Sequence, residues 1–238
     1  MPDIAANLAA IRLRLDASAR AAGSAPSDVR LVAVSKTFPI ESIRAAAAAG
    51  QIAFGENRVQ EALGKVDAMR DLALEWHLVG HLQTNKARRA AVAFQWIHSI
   101  DSLDLLQKVD AAAADAGTRP FVLLQVDLAH EETKFGADET VLLDLSHAAV
   151  HAKAVRLSGL MTVPPISERP EDARPWFRRL RDLRDRLVAS GIDAAHLREL
   201  SMGMSHDFEV AIDEGATMVR IGTAIFGRRT PPGVAAAP

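Results

Sequence analysis

Apolar positions along the chain switch between two spacings. Ile4, Leu8, Ile11 and Leu15 recur at helical intervals, so residues 3–22 read as an amphipathic helix. Gly23, Pro26 and Ser27-Asp28 break it. Val29–Ser35 (VRLVAVS) is a short, nearly continuous apolar run, as expected of a strand covered on both faces. An alanine-rich helix over Ile40–Ala49 follows and stops at Gly50. The same alternation then repeats. Strands are expected at Gln51–Phe54, Leu74–Val79, Trp96–Ile100, Phe121–Leu128, Val155–Val163, Leu197–Ser201 and Met218–Ile221. Helices are expected at Arg58–Arg70, Thr84–Phe94, Leu103–Ala116, Glu139–Ala152, Arg174–Ala189 and Phe208–Glu214, with a short last one over Gly222–Gly227.

Eight strand–helix units behind one leading helix imply a parallel sheet with right-handed crossovers. Eight such units in one domain-sized chain favour closure into a (β/α)8 TIM barrel over an open sheet. The length of 238 residues suits that fold, and no Pro/Gly/Ser-rich linker divides the chain. The expectation is therefore one barrel domain over residues 1–229, with Thr230–Pro238 (TPPGVAAAP) as a loose tail.

Composition narrows the function classes. A net charge of -2 gives no general attraction to nucleic acid or an anionic membrane. No apolar run approaches the roughly 20 residues that span a bilayer. Met1-Pro2-Asp3-Ile4 has no basic region followed by an apolar stretch, so no signal peptide is expected. The absence of cysteine excludes disulfides, thiolate catalysis and cysteine-based zinc sites, and fits a cytoplasmic protein. The absence of tyrosine removes one common general acid or base. A complete barrel needs no second copy, so a monomer is expected.

Active sites of such barrels lie at the C-terminal ends of the strands. Lys36 ends the first strand directly after an apolar run; partial desolvation there disfavours an ammonium and makes the amine a better nucleophile toward a carbonyl, although a lysine at a strand end also snorkels to solvent. Phe54-Gly55-Glu56-Asn57-Arg58 ends the second strand, where Asn57 is either a ligand or a helix N-cap. His77 and His81 flank the third strand end, but they cross a strand boundary and lack a third partner, which argues against a metal site. Asp101 and Asp127 are either acid/base groups or helix caps, and capping is favoured. Ser201 to Ser205 (SMGMS) follows the seventh strand, and Arg220-Ile221-Gly222-Thr223-Ala224 spans the end of the eighth. Loops after strands seven and eight often build phosphate sites in this fold. Gly222 lets an anion approach the backbone, while Thr223 and Ser201 offer donors. An aldehyde-reactive lysine and a phosphate cradle at one barrel mouth suit pyridoxal 5′-phosphate (PLP); a phosphosugar in an aldolase-type barrel is the rival ligand.

The segments LVAVSKTFP (31–39), FGENRVQE (54–61), WHLVGHLQTNK (76–86), SIDS (99–102), LSGLMTVPP (157–165), LSMGMSHDFEVAI (200–212) and VRIGTAIFG (219–227) resemble, in order and over almost the whole chain, those of the pyridoxal phosphate homeostasis proteins. The resemblance implies a barrel similar to the N-terminal domain of alanine racemase, the fold type III architecture of PLP proteins. It implies that Lys36 carries the cofactor, that Ser201, Gly222 and Thr223 hold the phosphate, and that Arg220 faces the pyridine nitrogen. It places Asn57, His81 and Met161 near the ring or the cavity wall. The segment VDLAHEETKFG (126–136) departs from the family's usual pattern, which leaves the roles of Asp127 and Lys134 open. The implied function is to carry or buffer PLP through a reversible Schiff base and to maintain vitamin B6 homeostasis, with PLP-dependent apoenzymes or free amines as acceptors.

Strong catalysis is not expected. Arginine can only donate, so a pyridine beside Arg220 stays neutral and is a weaker electron sink. The racemase also uses a tyrosine base from a separate domain of its partner subunit, and this chain contains no tyrosine. The alternative is a racemase or lyase of the same fold type.

Overall fold

The computed structural model describes residues 2–129 and 135–227. Lys134 and the tail expected over Thr230–Pro238 lie outside the described residues. Eight strands close into a barrel in sequence order, each parallel to its neighbours. The strands are β1 Arg30–Val34, β2 Ala53–Glu56, β3 Glu75–Leu78, β4 Trp96–Ile100, β5 Phe121–Gln125, β6 Arg156–Met161, β7 Glu199–Met204 and β8 Met218–Ile221. The α-helices among the described residues are α1 Ile4–Ala21, α2 Ile40–Ala48, α3 Val59–Ala68, α4 Ala87–Ala93, α5 Leu103–Ala116, α6 Leu142–Val150, α7 Arg174–Ala189, α8 Phe208–Asp213 and α9 Thr223–Phe226.

Because side chains alternate across a strand, each strand serves two cores. Phe54, Leu78, Ile97, Leu124, Leu200 and Val219 are buried in the main core between the sheet and its helices. A second, smaller cluster of Trp96, Leu123, Met161 and Met218 fills part of the barrel interior. Trp96 stacks on His77 and on Phe121, and Arg30 lies 5.0 Å above the Trp96 ring.

Helix α1 is started by the Asp3 side chain, which accepts from Ala6 N, and it buries Ile4, Leu8, Ile11, Leu15 and Ala19 along one face. It packs on α8 and α9, and Asn7 Nδ2 donates to Ile225 O at 2.9 Å, which fixes the turn behind the β8 strand end.

The largest departure from the expected elements is at β7. The strand was expected to end at Ser201. The strand instead runs to Met204, with a register shift against β8 between Ser201 and Met204. Gly203 takes φ +89° inside the strand, where an added Cβ would stand 2.5 Å from the Ala211 side chain. Glycine here permits a bulge pressed against α8. In the opposite sense, β5 stops at Gln125, and Val126 makes only an isolated bridge to Ala137. Residues 84–86 form a 3-10 turn before α4 begins at Ala87.

Candidate functional site

A cavity of about 320 Å³ opens at the C-terminal ends of the strands. Its polar lining comes from Lys36, Asn57, Ser205, Arg220, Gly222 and Thr223, and its apolar walls from Val34, Phe38, Val79, Val163 and Met204. That volume lies at the small end of the range for ligand sites.

Lys36 follows β1 with the same parity as Val34, so both face the cavity. The next residue, Thr37, has φ +67°, an unfavourable conformation for a β-branched side chain. A partly buried network holds it. Thr37 N donates to Glu61 Oε1 at 2.6 Å, and Lys65 Nζ donates to Glu61 Oε1, Glu56 Oε1 and Ser35 O at 2.7–2.8 Å. Ser35 Oγ adds a 2.6 Å bond to Glu56. Burial pushes the Glu56 carboxyl upward, against the pull of Lys65. Glu61 sits below its ordinary range: burial opposes its charge, but Lys65 and the Thr37 N–H overcome that. The strained turn that aims Lys36 is thus fixed from behind by ion pairs on α3.

The opposite rim is backbone. Gly222 N and Ala224 N reach Ser205 Oγ at 3.3 and 3.5 Å. A Cβ on residue 222 would meet Val34 O at 3.1 Å, so glycine allows the β8–α9 turn to lie close against β1. Arg220 forms part of the cavity lining, with Nη1 donating to Ser201 Oγ at 2.6 Å and Nη2 to Thr162 O at 2.8 Å. Burial lowers its pKa to about 10, which leaves it cationic at neutral pH. The cavity therefore combines an amine, a fixed cation, and a rim of hydroxyls and backbone turns, a donor set that fits a small planar aldehyde carrying an anionic group.

Asn57 lines this cavity and does not cap α3, whose N-cap residue is Arg58. An added Cβ on Gly80 would come within 2.4 Å of Asn57 O, so this glycine keeps the two strand ends in contact. His81 does not line the cavity. It lies in a neighbouring depression with Arg58 and Lys86, stacked on Phe135 at 3.6 Å and 3.4 Å from Asp101. Burial raises the Asp101 carboxyl, and Ser102, not Asp101, caps α5. The Asp127 side chain accepts from Ala129 N two residues on. His77 and His81 are apart: His77 is fully buried and bonds to Glu75 and His98.

Two expected positions sit lower than the sequence reading placed them. Ser201 and Met161 are paired across β7 and β6, one layer beneath the cavity residues Val163 and Met204. Both are buried; Met161 packs against Trp96 and Leu123, and Ser201 bonds His98 and Arg220. The hydroxyl next to Gly222 is that of Ser205. The reason is the β7 extension: with the strand continuing to Met204, the last residue of the SMGMS run reaches the rim and the first does not.

The sequence model described as "Alanine racemase, N-terminal domain" matches residues 6–230. The pyridoxal phosphate homeostasis protein of Aquifex aeolicus (strain VF5) is 45% identical over 216 residues, covering 91% of this chain and 94% of that protein. The protein of the same name from Pseudomonas aeruginosa PAO1 is 46% identical over 231 residues, covering 96% and 97%. The chain belongs to the pyridoxal phosphate homeostasis protein family. Solved relatives agree in fold. PipY of Synechococcus elongatus PCC7942 without PLP superposes with TM-score 0.85 at 41% identity, covering 94% of this chain and all of that one. The same protein with PLP bound gives 0.81 at 40% identity, covering the same shares of both chains. An alanine racemase of Clostridium difficile 630, 15% identical with TM-score 0.72, covers 98% of this chain and 59% of its own, and shows the shared barrel alone.

Within this member of the homeostasis protein family, sequence reasoning missed Ser205, the apolar wall residue Phe38, and His98. Ser205 belongs to the same SMGMS segment as Ser201, and the length of β7 decides which of the two reaches the rim. His98 had a signal: it stands two residues after Trp96 on β4, which puts a polar residue on the same inward face.

Proposed function

We propose that this protein holds PLP at the barrel mouth through a reversible Schiff base with Lys36, buffers the reactive aldehyde and releases it to acceptor amines or PLP-dependent apoenzymes. The observation that carries this reading is that Lys36, Arg220, Gly222 and Thr223 line one cavity of the right size. The homeostasis relatives at 45–46% identity and the PLP-bound PipY support the ligand.

Bound there, PLP supplies an aldehyde that condenses reversibly with amines. Lys36 provides the resident amine, held in place by the Thr37 turn. Gly222, Thr223 and Ser205 would hold the phosphate. Arg220, which only donates, would face the ring nitrogen as a hydrogen-bond donor and would favour the neutral ring. Asn57 would lie beside the ring. No tyrosine stands in the chain to act as an opposing base. These features favour storage over turnover. We further propose that the chain acts in the cytoplasm, as a monomer and as a single barrel domain.

Titration of the purified protein with PLP tests this. A visible absorbance band that is trapped by borohydride as a covalent adduct on the peptide containing Lys36, and that is lost in Lys36→Ala, is the expected outcome. Rapid exchange of amino-acid α-protons with turnover in deuterated buffer would instead favour a racemase or lyase.

A further inference from the structure

Two buried histidines, His77 and His98, take no part in that binding scheme, yet they lie in a continuous line of hydrogen bonds through the barrel interior. At the lower end, Glu75 Oε1 stands 2.8 Å from His77 Nε2 and 3.1 Å from Arg30. His77 Nδ1 and His98 Nε2 are 2.9 Å apart, and His98 Nδ1 is 2.9 Å from Ser201 Oγ. Ser201 Oγ in turn accepts from Arg220 Nη1 at 2.6 Å, at the cavity.

The chemistry of the two ends fixes every proton between them. The Glu75 carboxylate only accepts, so His77 carries its proton on Nε2 and donates it there. A ring with one proton then has a bare Nδ1, which accepts the Nε2 proton of His98. His98 Nδ1 is bare in turn and accepts the Ser201 hydroxyl proton, while Ser201 accepts from Arg220, which only donates. Burial disfavours a charge on either ring, consistent with one proton on each. Every bond points the same way, from a cation to a carboxylate, so the dipoles reinforce one another.

We infer that Glu75, His77, His98 and Ser201 form an ordered relay of positioning residues that couples the charge at the lower rim of the barrel to the orientation and donor strength of Arg220. This rests on the reading that Arg220 serves the ring nitrogen. The relay itself is a property of the cofactor-free chain, so the two fail separately.

Nitrogen NMR on the cofactor-free protein labelled at histidine and arginine tests it. The expected spectrum shows both histidines neutral with bare Nδ1 and protonated Nε2, and a through-hydrogen-bond coupling between His77 Nδ1 and His98 Nε2. Glu75→Gln keeps an acceptor for His77 but removes the charge; the Arg220 guanidinium resonances should move in that variant although the two residues do not touch. The response should vanish in Ser201→Ala and persist in Ser201→Thr, which retains the hydroxyl. In protein loaded with PLP, Glu75→Gln should change the dissociation constant by about threefold or more and shift the visible band. A purely structural role would lower the melting temperature and leave the Arg220 resonances in place. The opposite tautomers, a charged imidazole, or Arg220 signals unmoved by Glu75→Gln would overturn the relay. Failure of wild-type protein to form the visible band would count against the binding scheme and leave the NMR result to decide the relay.

Discussion

Lys65 and Ser205 decide at the residue scale whether the cavity is assembled. Lys65 is the shared cation of two carboxylates, one of them fully buried. Lys65→Met should cost about 3–5 kcal/mol in a urea unfolding experiment, because Glu56 is left buried and unpaired. Adding Glu56→Gln should recover part of that loss, and strict additivity of the two changes would contradict the network. Ser205→Ala should weaken PLP binding by roughly tenfold, the usual worth of one hydrogen bond to a charged group. The same substitution should leave the affinity for pyridoxal, which lacks the phosphate, unchanged; equal losses for both ligands would remove Ser205 from the phosphate rim. Lys36, Gly222 and Thr223 were legible in the sequence as candidates at strand ends, and Arg220 came from the family resemblance; all four line the cavity. Ser205 was not distinguishable from Ser201, because the choice turns on a backbone conformation three-dimensional packing imposes.

Element boundaries explain which expectations held. The bounds of β4, α5, α7 and β8 follow the apolar periodicity directly. Those elements start and stop at local signals, such as Ser102 at the start of α5 and Gly117 with φ +69° at its end. β7 overran its expected end because Gly203 serves as a bulge and not as a turn, and only its contact with α8 settles that. Gly203→Ala combines a positive φ with a Cβ 2.5 Å from Ala211. It should destabilise the protein by about 2–4 kcal/mol and lower the melting temperature by roughly 5–15 °C. An unchanged melting temperature would mean that the bulge is not required.

For the molecule as a whole, the polar column inside the barrel gives stability a pH signature. Burial lowers the pKa of both His77 and His98 below the ordinary histidine value. As pH falls through about 6.5, the unfolded chain takes up protons that the folded barrel refuses, so stability is present above that value and declines below it. Each histidine should contribute a slope of about 1.4 kcal/mol per pH unit. The raised carboxyls of Glu56, Asp101 and Asp207 act in the opposite sense, so the comparison is with His98→Gln, which leaves them in place. Chemical unfolding between pH 7 and 5.5 should show a shallower fall in that variant than in wild type, and identical slopes would contradict a neutral buried His98.

The barrel's service as a PLP holder depends on two ends of one cavity gripping one molecule. A crystal structure of the PLP-bound protein tests that most directly. Continuous density between Lys36 Nζ and the aldehyde carbon, with the phosphate against Ser205, Gly222 and Thr223, is the expected result. Phosphate density at any other place, or an aldehyde carbon unattached to Lys36, would contradict it.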